Sequence, residues 1–375
     1  MKTAIFINNI FNTGGTEVVS IEYAKLLKKQ GETVCFITID SGDVFPNELK
    51  EEKIEVFILR GKNNNKELSD EQIQKALNYC VENNVENSLF IVNIPHKISP
   101  VSNLDLILRL SKITKCEVVF HSSPKSYLTR YWSLRYGFVG NVLRKIKTLL
   151  ITRPYAKHFI KTLYKNGISL YSTTKGGQQE LKRYYGVDSK IRYNWYVYRD
   201  IEFPDKKNIV TYCGRLAFEK NVLLLLNAWK QCNTTDWKLR LIGTGKEKDL
   251  LETFCIKNHL DNVEFCGSVN HERIYDYFAE SKICVLTSFY EGGYPTVFVE
   301  AMNMGNVIFS TKYDGFSDEL LTPETSIITD YKVSHYANAL NELLNDPERI
   351  NKMGHNAFAK CKEFYHSSEY LNNVK

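Results

Sequence analysis

The chain has 375 residues, 43% of them hydrophobic and 25% charged, with a net charge of +6 at neutral pH. That length favours two domains over a single core, and the composition is that of a globular protein with no apolar run long enough to span a bilayer. Nine cysteines are scattered without metal-ligand or disulfide spacing, which argues against a structural zinc and for a reducing cytoplasm.

The amino terminus lacks the long apolar core of a signal peptide and reads as a strand, 3–8, followed by a loop. Gly14 and Gly15 close that loop before an amphipathic helix at 17–30. Paired glycines at this position let the backbone approach a ligand and aim a helix start at an anion; a plain tight turn with Thr16 as the helix cap is the alternative. Further strands are predicted at 33–40, 54–59, 89–94, 117–121 and 169–172, with 190–195 as a last strand or extended turn. Cys35 falls in one of them, as a small core residue does. His121 closes the strand 117–121, where an imidazole can hydrogen-bond a sugar hydroxyl or polarise a reacting group, or make a structural bond. The other seven histidines are read as surface or packing residues.

Charge is unevenly placed. No acidic residue lies between Glu117 and Glu180, whereas eleven Lys and Arg do. The stretch 125–165 also carries Tyr127, Tyr131, Trp132, Tyr136, Phe138, Tyr155, Phe159 and Tyr164. Basic and aromatic residues mixed in this way suit an anionic membrane surface or a phosphate-bearing acceptor; aromatics packed into their own domain are the alternative. No nucleic-acid motif accompanies the charge, so nucleic acid is not an expected partner.

A polar break at 199–207 precedes a second alternation, with strands at 209–213, 238–242, 263–266, 283–287, 307–310 and 326–329. Cys213, Cys266 and Cys284 lie in these strands. Strands alternating with helices imply parallel sheets covered on both faces. The expected domains are 1–202 and 203–355, with a final helical segment, 356–375, able to pack back on the first. Ligands of two such domains are expected at the carboxyl ends of the strands, in an interdomain cleft.

Four motifs of the second half fall at that edge. Gly214-Arg215-Leu216 ends a strand and Lys220 stands just before a helix, so both cations can hold a diphosphate, the arginine as a planar fork. Each is expected to be replaceable by alanine with little loss of folding. Gly243-Thr244-Gly245 is a strand-to-loop turn that can shape a pocket for a base, and 263–269 has the same character. Glu291 follows an apolar strand, Gly292 and Gly293 open a turn, and Pro295 suits the first turn of a helix. That helix carries Thr296 and, four residues on, Glu300, a carboxylate among Val297, Phe298, Val299, Ala301 and Met302 that is costly to bury without a partner. A helix start that attracts phosphate, next to a carboxylate that accepts hydroxyl protons, suggests a nucleotide-sugar site.

These motifs together resemble the retaining glycosyltransferases of family 4, known under the heading glycosyl transferases group 1. The likeness covers nearly the whole chain and is most specific in its second half. It implies an α/β fold of GT-B type: two Rossmann-like, doubly wound parallel-sheet domains facing a cleft. By this resemblance Arg215 and Lys220 hold the donor diphosphate, Glu300 the ribose, Glu291 the transferred sugar, and His121 a sugar hydroxyl near the anomeric carbon. Asn194 sits where the family often has an asparagine before the chain crosses between domains. One departure concerns Glu291: eight residues separate it from Glu300, where the family usually has seven, so the aim of Glu291 is set by a turn one residue longer.

The implied reaction is metal-independent transfer of a hexose-type sugar, with retention, from a UDP-sugar to an acceptor hydroxyl, with no cofactor beyond the donor. No Asp-x-Asp stands near a strand end to call for a divalent ion. The acceptor is expected to be a glycan or a lipid-linked sugar of bacterial surface polysaccharide assembly, placing the chain in the cytoplasm or on the inner face of the membrane. Rival readings are a catalytically silent partner subunit and a sugar-nucleotide epimerase; a phosphorylase would be far longer and would carry pyridoxal phosphate.

Overall fold

The structure, a computed structural model, describes all residues except 12–14, 41–45, 62–66, 94–98, 129–136, 197, 292–294, 317 and 374–375, and leaves aside the side chains of Gly61, Pro100 and Gly137. It divides into two compact units, Met1–Val197 with Asn373–Lys375, and Tyr198–Asn372.

The first unit is built on β1 (Lys2–Ile7), β2 (Thr33–Asp40), β3 (Glu55–Gly61), β4 (Asn87–Val92), β5 (Lys115–Phe120), β6 (Ser169–Ser172) and β7 (Lys190–Ile191), in the spatial order β3-β2-β1-β4-β5-β6-β7. Every pairing is parallel. Side chains alternate between two buried faces. Ala4 and Phe6 enter one core, where Phe6 stacks on Phe90 at 4.4 Å between ring centres, while Ile5 and Ile7 enter the other. Both faces being buried, the strands read as unbroken apolar runs, the signature of a sheet with helices on each side.

The second unit repeats the plan with β8 (Lys207–Cys213), β9 (Lys238–Ile242), β10 (Val263–Gly267), β11 (Ser281–Leu286), β12 (Val307–Thr311) and β13 (Ser326–Thr329), in the order β10-β9-β8-β11-β12-β13. The strand order therefore reverses between β1 and β4 in one sheet and between β8 and β11 in the other. Loops leaving the carboxyl ends of strands on either side of such a reversal diverge and open a crevice, the usual ligand position of open parallel sheets.

The polar segment after Val197 is fastened to the second unit. Arg199 exchanges two hydrogen bonds of 2.8 Å with the side chain of Asn303, and its guanidinium lies 3.8 Å from the Tyr275 ring centre. Phe203 stacks on His355 at 3.9 Å. Lys206 donates to the carbonyls of Phe278 and Met304, and burial pushes its pKa down to about 7. The long helix Pro347–His366 packs on β12 and on the helix Thr296–Asn303, both of the second unit. At the chain's end the Asn373 carbonyl accepts from the Tyr193 N–H at 2.9 Å. All nine cysteines are free thiols.

The glycine pair after β9 has a packing reason. The loops leaving β8 and β9 are zipped together by Gly214 N–H to Ile242, Leu216 N–H to Thr244 and Glu247 N–H to Leu216. Gly243 has φ +130°, and a Cβ there would lie 2.0 Å from the Gly214 oxygen; one on Gly245 would lie 2.2 Å from the Leu216 oxygen. Gly243→Ala is therefore expected to cost about 2–4 kcal/mol of stability, read from urea unfolding, because neither backbone can yield. A change below about 0.5 kcal/mol would show that the loops are free to part.

Candidate functional site

The reversal between β8 and β11 brings together two residues that the sequence marks separately. After β8 the chain makes a 3-10 turn, Phe218–Lys220, and Asn221 takes a left-handed φ of 49° to enter the helix Val222–Trp229. Asparagine is among the few non-glycine residues that tolerate this conformation. The turn is pinned to the loop after β11: Thr287 Oγ1 donates to the Lys220 carbonyl at 2.9 Å, and the Phe289 N–H to that of Glu219 at 2.9 Å. Lys220 Nζ then reaches Glu291 Oε1 at 2.5 Å, with both side chains largely buried. Glu291 is held from its other side by the segment that follows β12, since its N–H donates to the Asp314 carbonyl at 3.1 Å and the Asp314 N–H to that of Phe289 at 2.9 Å.

Arg215 stands differently. Its side chain is 72% exposed and bonded to Glu219 at 2.7 Å. An exposed pair of this kind contributes little to stability, so the guanidinium can leave Glu219 for a more highly charged anion.

Glu300 is 5% exposed, within the eight-residue helix Thr296–Asn303. Its Oε1 lies 2.7 Å from His271 Nε2, while its Oε2 is buried without a hydrogen-bond partner among the described residues. Such an oxygen costs about 1–3 kcal/mol while unsatisfied, and an incoming hydroxyl would recover that. Thr296 is the first residue of the helix and is half-buried, one turn before Glu300. Pro295 is the residue before the helix rather than inside its first turn, and the Phe298 N–H donates to its carbonyl. Gly292 and Gly293 lie outside the described residues.

His271 is missed by sequence reasoning, which reads it as a surface or packing residue. It opens the helix His271–Glu280 just past β10. The stretch 263–269 drew attention as a loop at the ligand edge, and the side chain that matters lies two residues beyond it.

In the first unit His121 follows β5 and lines a small cavity with Ser20, Tyr23, Arg192, Asn194 and Trp195. No described residue hydrogen-bonds its ring, and burial pushes its pKa down to about 4, so the imidazole is neutral at physiological pH. Arg192 is another residue without a sequence signal. Its Nη2 pairs with Glu117 Oε2 at 2.7 Å, its guanidinium carbon lies 4.0 Å from the Tyr171 ring centre, and its Nη1 is buried without a partner among the described residues. Burial raises the Glu117 carboxyl, but Arg192 and Lys115 outweigh it and hold its pKa below the ordinary value. Gly15 is the exposed first residue of the helix Gly15–Lys29, and Gly14 lies outside the described residues. Thr16 is no helix cap; its hydroxyl donates to Asn93 Oδ1 at 3.1 Å.

The aromatic residues of 125–165 do not form one surface. Tyr127 and Phe159 are fully buried in the core, and Tyr155 donates to the Ser102 carbonyl at 2.7 Å. Phe138 and Tyr164 are exposed, and Tyr131, Trp132 and Tyr136 lie outside the described residues. Among the described residues no three His, Cys, Asp or Glu side chains gather as a metal-ligand group.

Comparisons with known proteins bear on the family and the fold. Residues 198–360, nearly all of the second unit, match the family model for glycosyl transferases group 1. A similar relative is the amylovoran biosynthesis glycosyltransferase AmsD of Erwinia amylovora, 25% identical over 306 residues, which covers 80% of this chain and 78% of that protein. These matches support a place in the glycosyltransferase superfamily. Among solved structures, a sucrose-phosphate synthase from Thermosynechococcus elongatus superposes with a TM-score of 0.75 at 15% identity, covering 96% of this chain and 94% of that one. Anabaena HepE in complex with UDP-glucose gives 0.72 at 17%, covering 100% and 98%. The fold is thus GT-B, with two Rossmann-like units.

Two measurements check the site. A histidine whose folded pKa is lowered binds fewer protons than the unfolded chain, so its contribution is present above pH 6.5 and is lost as pH falls through the window down to about 4. The wild-type urea midpoint is expected to drop across that window more steeply than that of His121→Gln; parallel curves would mean the ring titrates normally. Separately, His271→Ala leaves Glu300 without its partner. It is expected to weaken nucleotide binding by about tenfold in calorimetry and to cost about 1–3 kcal/mol of stability, since the second carboxylate oxygen is then unsatisfied too; unaltered binding would remove His271 from the site.

Proposed function

We propose that this chain is a retaining glycosyltransferase that moves a hexose-type sugar from a UDP-sugar to an acceptor hydroxyl in the assembly of a bacterial surface polysaccharide or glycolipid. The observation that carries the reading is Glu300, a buried carboxylate in the segment matched to group 1 glycosyltransferases, with one oxygen on His271 and the other unpartnered among the described residues. A ribose hydroxyl is the natural donor to that oxygen. The diphosphate is assigned to Arg215, to Lys220 and to the helix start at Thr296, with Gly243 fixing the loop that borders the base. The glycine turn of Gly14 and Gly15 would bring backbone N–H groups near the substrate in the first unit, and the neutral His121 would accept from or donate to a sugar hydroxyl. The UDP-glucose bound by HepE supports a uridine nucleotide as donor.

In this reading the bond between the anomeric carbon and the diphosphate oxygen breaks, and the acceptor oxygen bonds to the same face of the carbon. The acceptor proton passes to the departing phosphate oxygen. Products are a glycoside and a nucleoside diphosphate. Negative charge grows on the diphosphate as the bond breaks, and Arg215 and Lys220 stabilise it without a metal or other cofactor. Glu291 orients the transferred sugar and, until substrate arrives, neutralises Lys220. The acceptor is assigned to a lipid-linked glycan at the cytoplasmic face of an anionic membrane.

The pairing of Lys220 corrects the expectation that both cations can be removed without loss of folding. Arg215→Ala is expected to leave stability intact and lower turnover by about 100-fold or more. Lys220→Ala strands a mostly buried carboxylate and is expected to cost about 3 kcal/mol as well as turnover. Combining Lys220→Met with Glu291→Gln should restore stability but not turnover. The measurement is donor hydrolysis and transfer across a panel of nucleotide sugars. Wild-type turnover in Arg215→Ala would overturn the assignment, and a wild-type chain that binds UDP yet never hydrolyses a donor would favour the silent partner subunit.

A further inference from the structure

One helical segment of the first unit is built inside out. The helix Gly137–Lys147 runs through a π turn, Thr148–Thr152, into the helix Arg153–Lys165. Over 138–152 the buried positions are polar: Asn141, Thr148 and Thr152 all lie within the protein, whereas the helix beyond buries apolar residues such as Phe159 and Leu163. Val139, Leu143, Ile146, Leu149, Leu150 and Ile151 face outward instead, Leu143 60% and Leu150 68% exposed. Four of these, 139, 143, 146 and 150, follow the i, i+4, i+7, i+11 spacing that makes a stripe on one side of a helix. The π turn adds a residue to the winding and keeps Thr148 and Thr152 both inward across the junction. A contiguous exposed apolar patch of this kind marks an interaction surface.

Charge identifies the partner. The segment carries Arg144, Lys145, Lys147, Arg153, Lys157, Lys161 and Lys165 and no acidic residue. A second copy of the chain docked symmetrically here would set these cations against one another, at a cost in repulsion. A bilayer with anionic headgroups offers hydrocarbon to the stripe and negative charge to Lys145 and Lys147 at once. No described helix is long and apolar enough to cross a membrane, so the contact lies in the interface plane.

We propose that the outward face of 139–151 is a membrane-docking surface, in which Leu143, Ile146 and Leu150 enter the headgroup–acyl boundary of an anionic bilayer and Lys145 and Lys147 bind its headgroups. This deepens the acceptor half of the proposed function and replaces the aromatic residues as the anchoring group. Its geometry is independent of the transfer chemistry.

The test is flotation of the full chain with phosphatidylcholine vesicles and with vesicles containing phosphatidylglycerol, alongside donor hydrolysis without vesicles. Wild type is expected to float with the anionic vesicles only. Leu143→Glu with Leu150→Glu is expected to lower the partition coefficient on the order of 100-fold with hydrolysis unchanged. Lys145→Glu with Lys147→Glu is expected to lose binding at low salt. Equal flotation of the leucine variant overturns the proposal, as does wild type that floats with neither vesicle. A concentration-dependent dimer that the leucine variant abolishes, without vesicle binding, also overturns it and assigns the face to a second copy. Normal flotation by a chain that hydrolyses no donor would remove the enzyme reading and leave the surface standing.

Discussion

The reversal of strand order beside β8 is the constraint on which the candidate site depends. In a parallel sheet every strand delivers its following loop to one edge, and neighbouring crossovers normally lead those loops away together. Between β8 and β11 they part, and the side chains that end them face a shared crevice. A lysine and a glutamate 71 residues apart in sequence thereby meet as a tight ion pair. The pair is sheltered enough that neither member is stable alone, so loop positions and loop charges are fixed together. Backbone bonds from Phe289 to Glu219 and from Glu291 to Asp314 carry the same fixing outward to the segment that follows β12.

Glu300 follows from that arrangement. The loop after β11 turns into a helix whose face against the sheet is apolar, and the carboxylate is carried inward with it. Its neighbours include Cys213 at the end of β8, whose thiol is pushed up first by burial and then by the charge of Glu300. A sheet edge that served packing alone would place an amide or an alkyl group here. A carboxylate with one oxygen on His271 and the other unpartnered among the described residues is costly by itself. It becomes favourable only when a hydroxyl donor fills the gap.

The strands were legible because each is a short run of β-branched and aromatic residues between turn signals, and thirteen such runs stand where the pattern puts them, within a few residues at their ends. Lys190–Ile191 is shorter than its sequence suggested, because past Ile191 the chain leaves β6. Partners across the sheet were not legible. Arg192 and Glu117 lie 75 residues apart and His271 and Glu300 29 apart, and no local periodicity encodes such meetings. The helix Gly137–Lys147 shows the opposite failure. The sequence reading singled out its basic and aromatic residues, whereas the structure exposes an aliphatic stripe and buries the polar face.

The two reversals also differ in chemistry, and the difference bears on what each unit can hold. Residues 8–16, which follow β1 in sequence, include no charged side chain. Its described bonds are neutral: Asn8 Nδ2 to Ser99 Oγ at 3.2 Å and Thr16 Oγ1 to Asn93 Oδ1 at 3.1 Å. His121, also neutral, belongs to the same sheet. Amides, hydroxyls and an uncharged imidazole suit the hydroxyls of a sugar, which offer and accept single hydrogen bonds without a charge to balance. The second reversal carries Arg215, Lys220 and Glu291, groups whose mutual neutralisation is disturbed when an anion arrives. A dianionic diphosphate supplies enough charge to displace Glu219 from Arg215 and to compete with Glu291 for Lys220, whereas a neutral glycan does not. The second reversal thus gathers charged groups that an anion would disturb, whereas beside His121 in the first unit Arg192 is paired with Glu117.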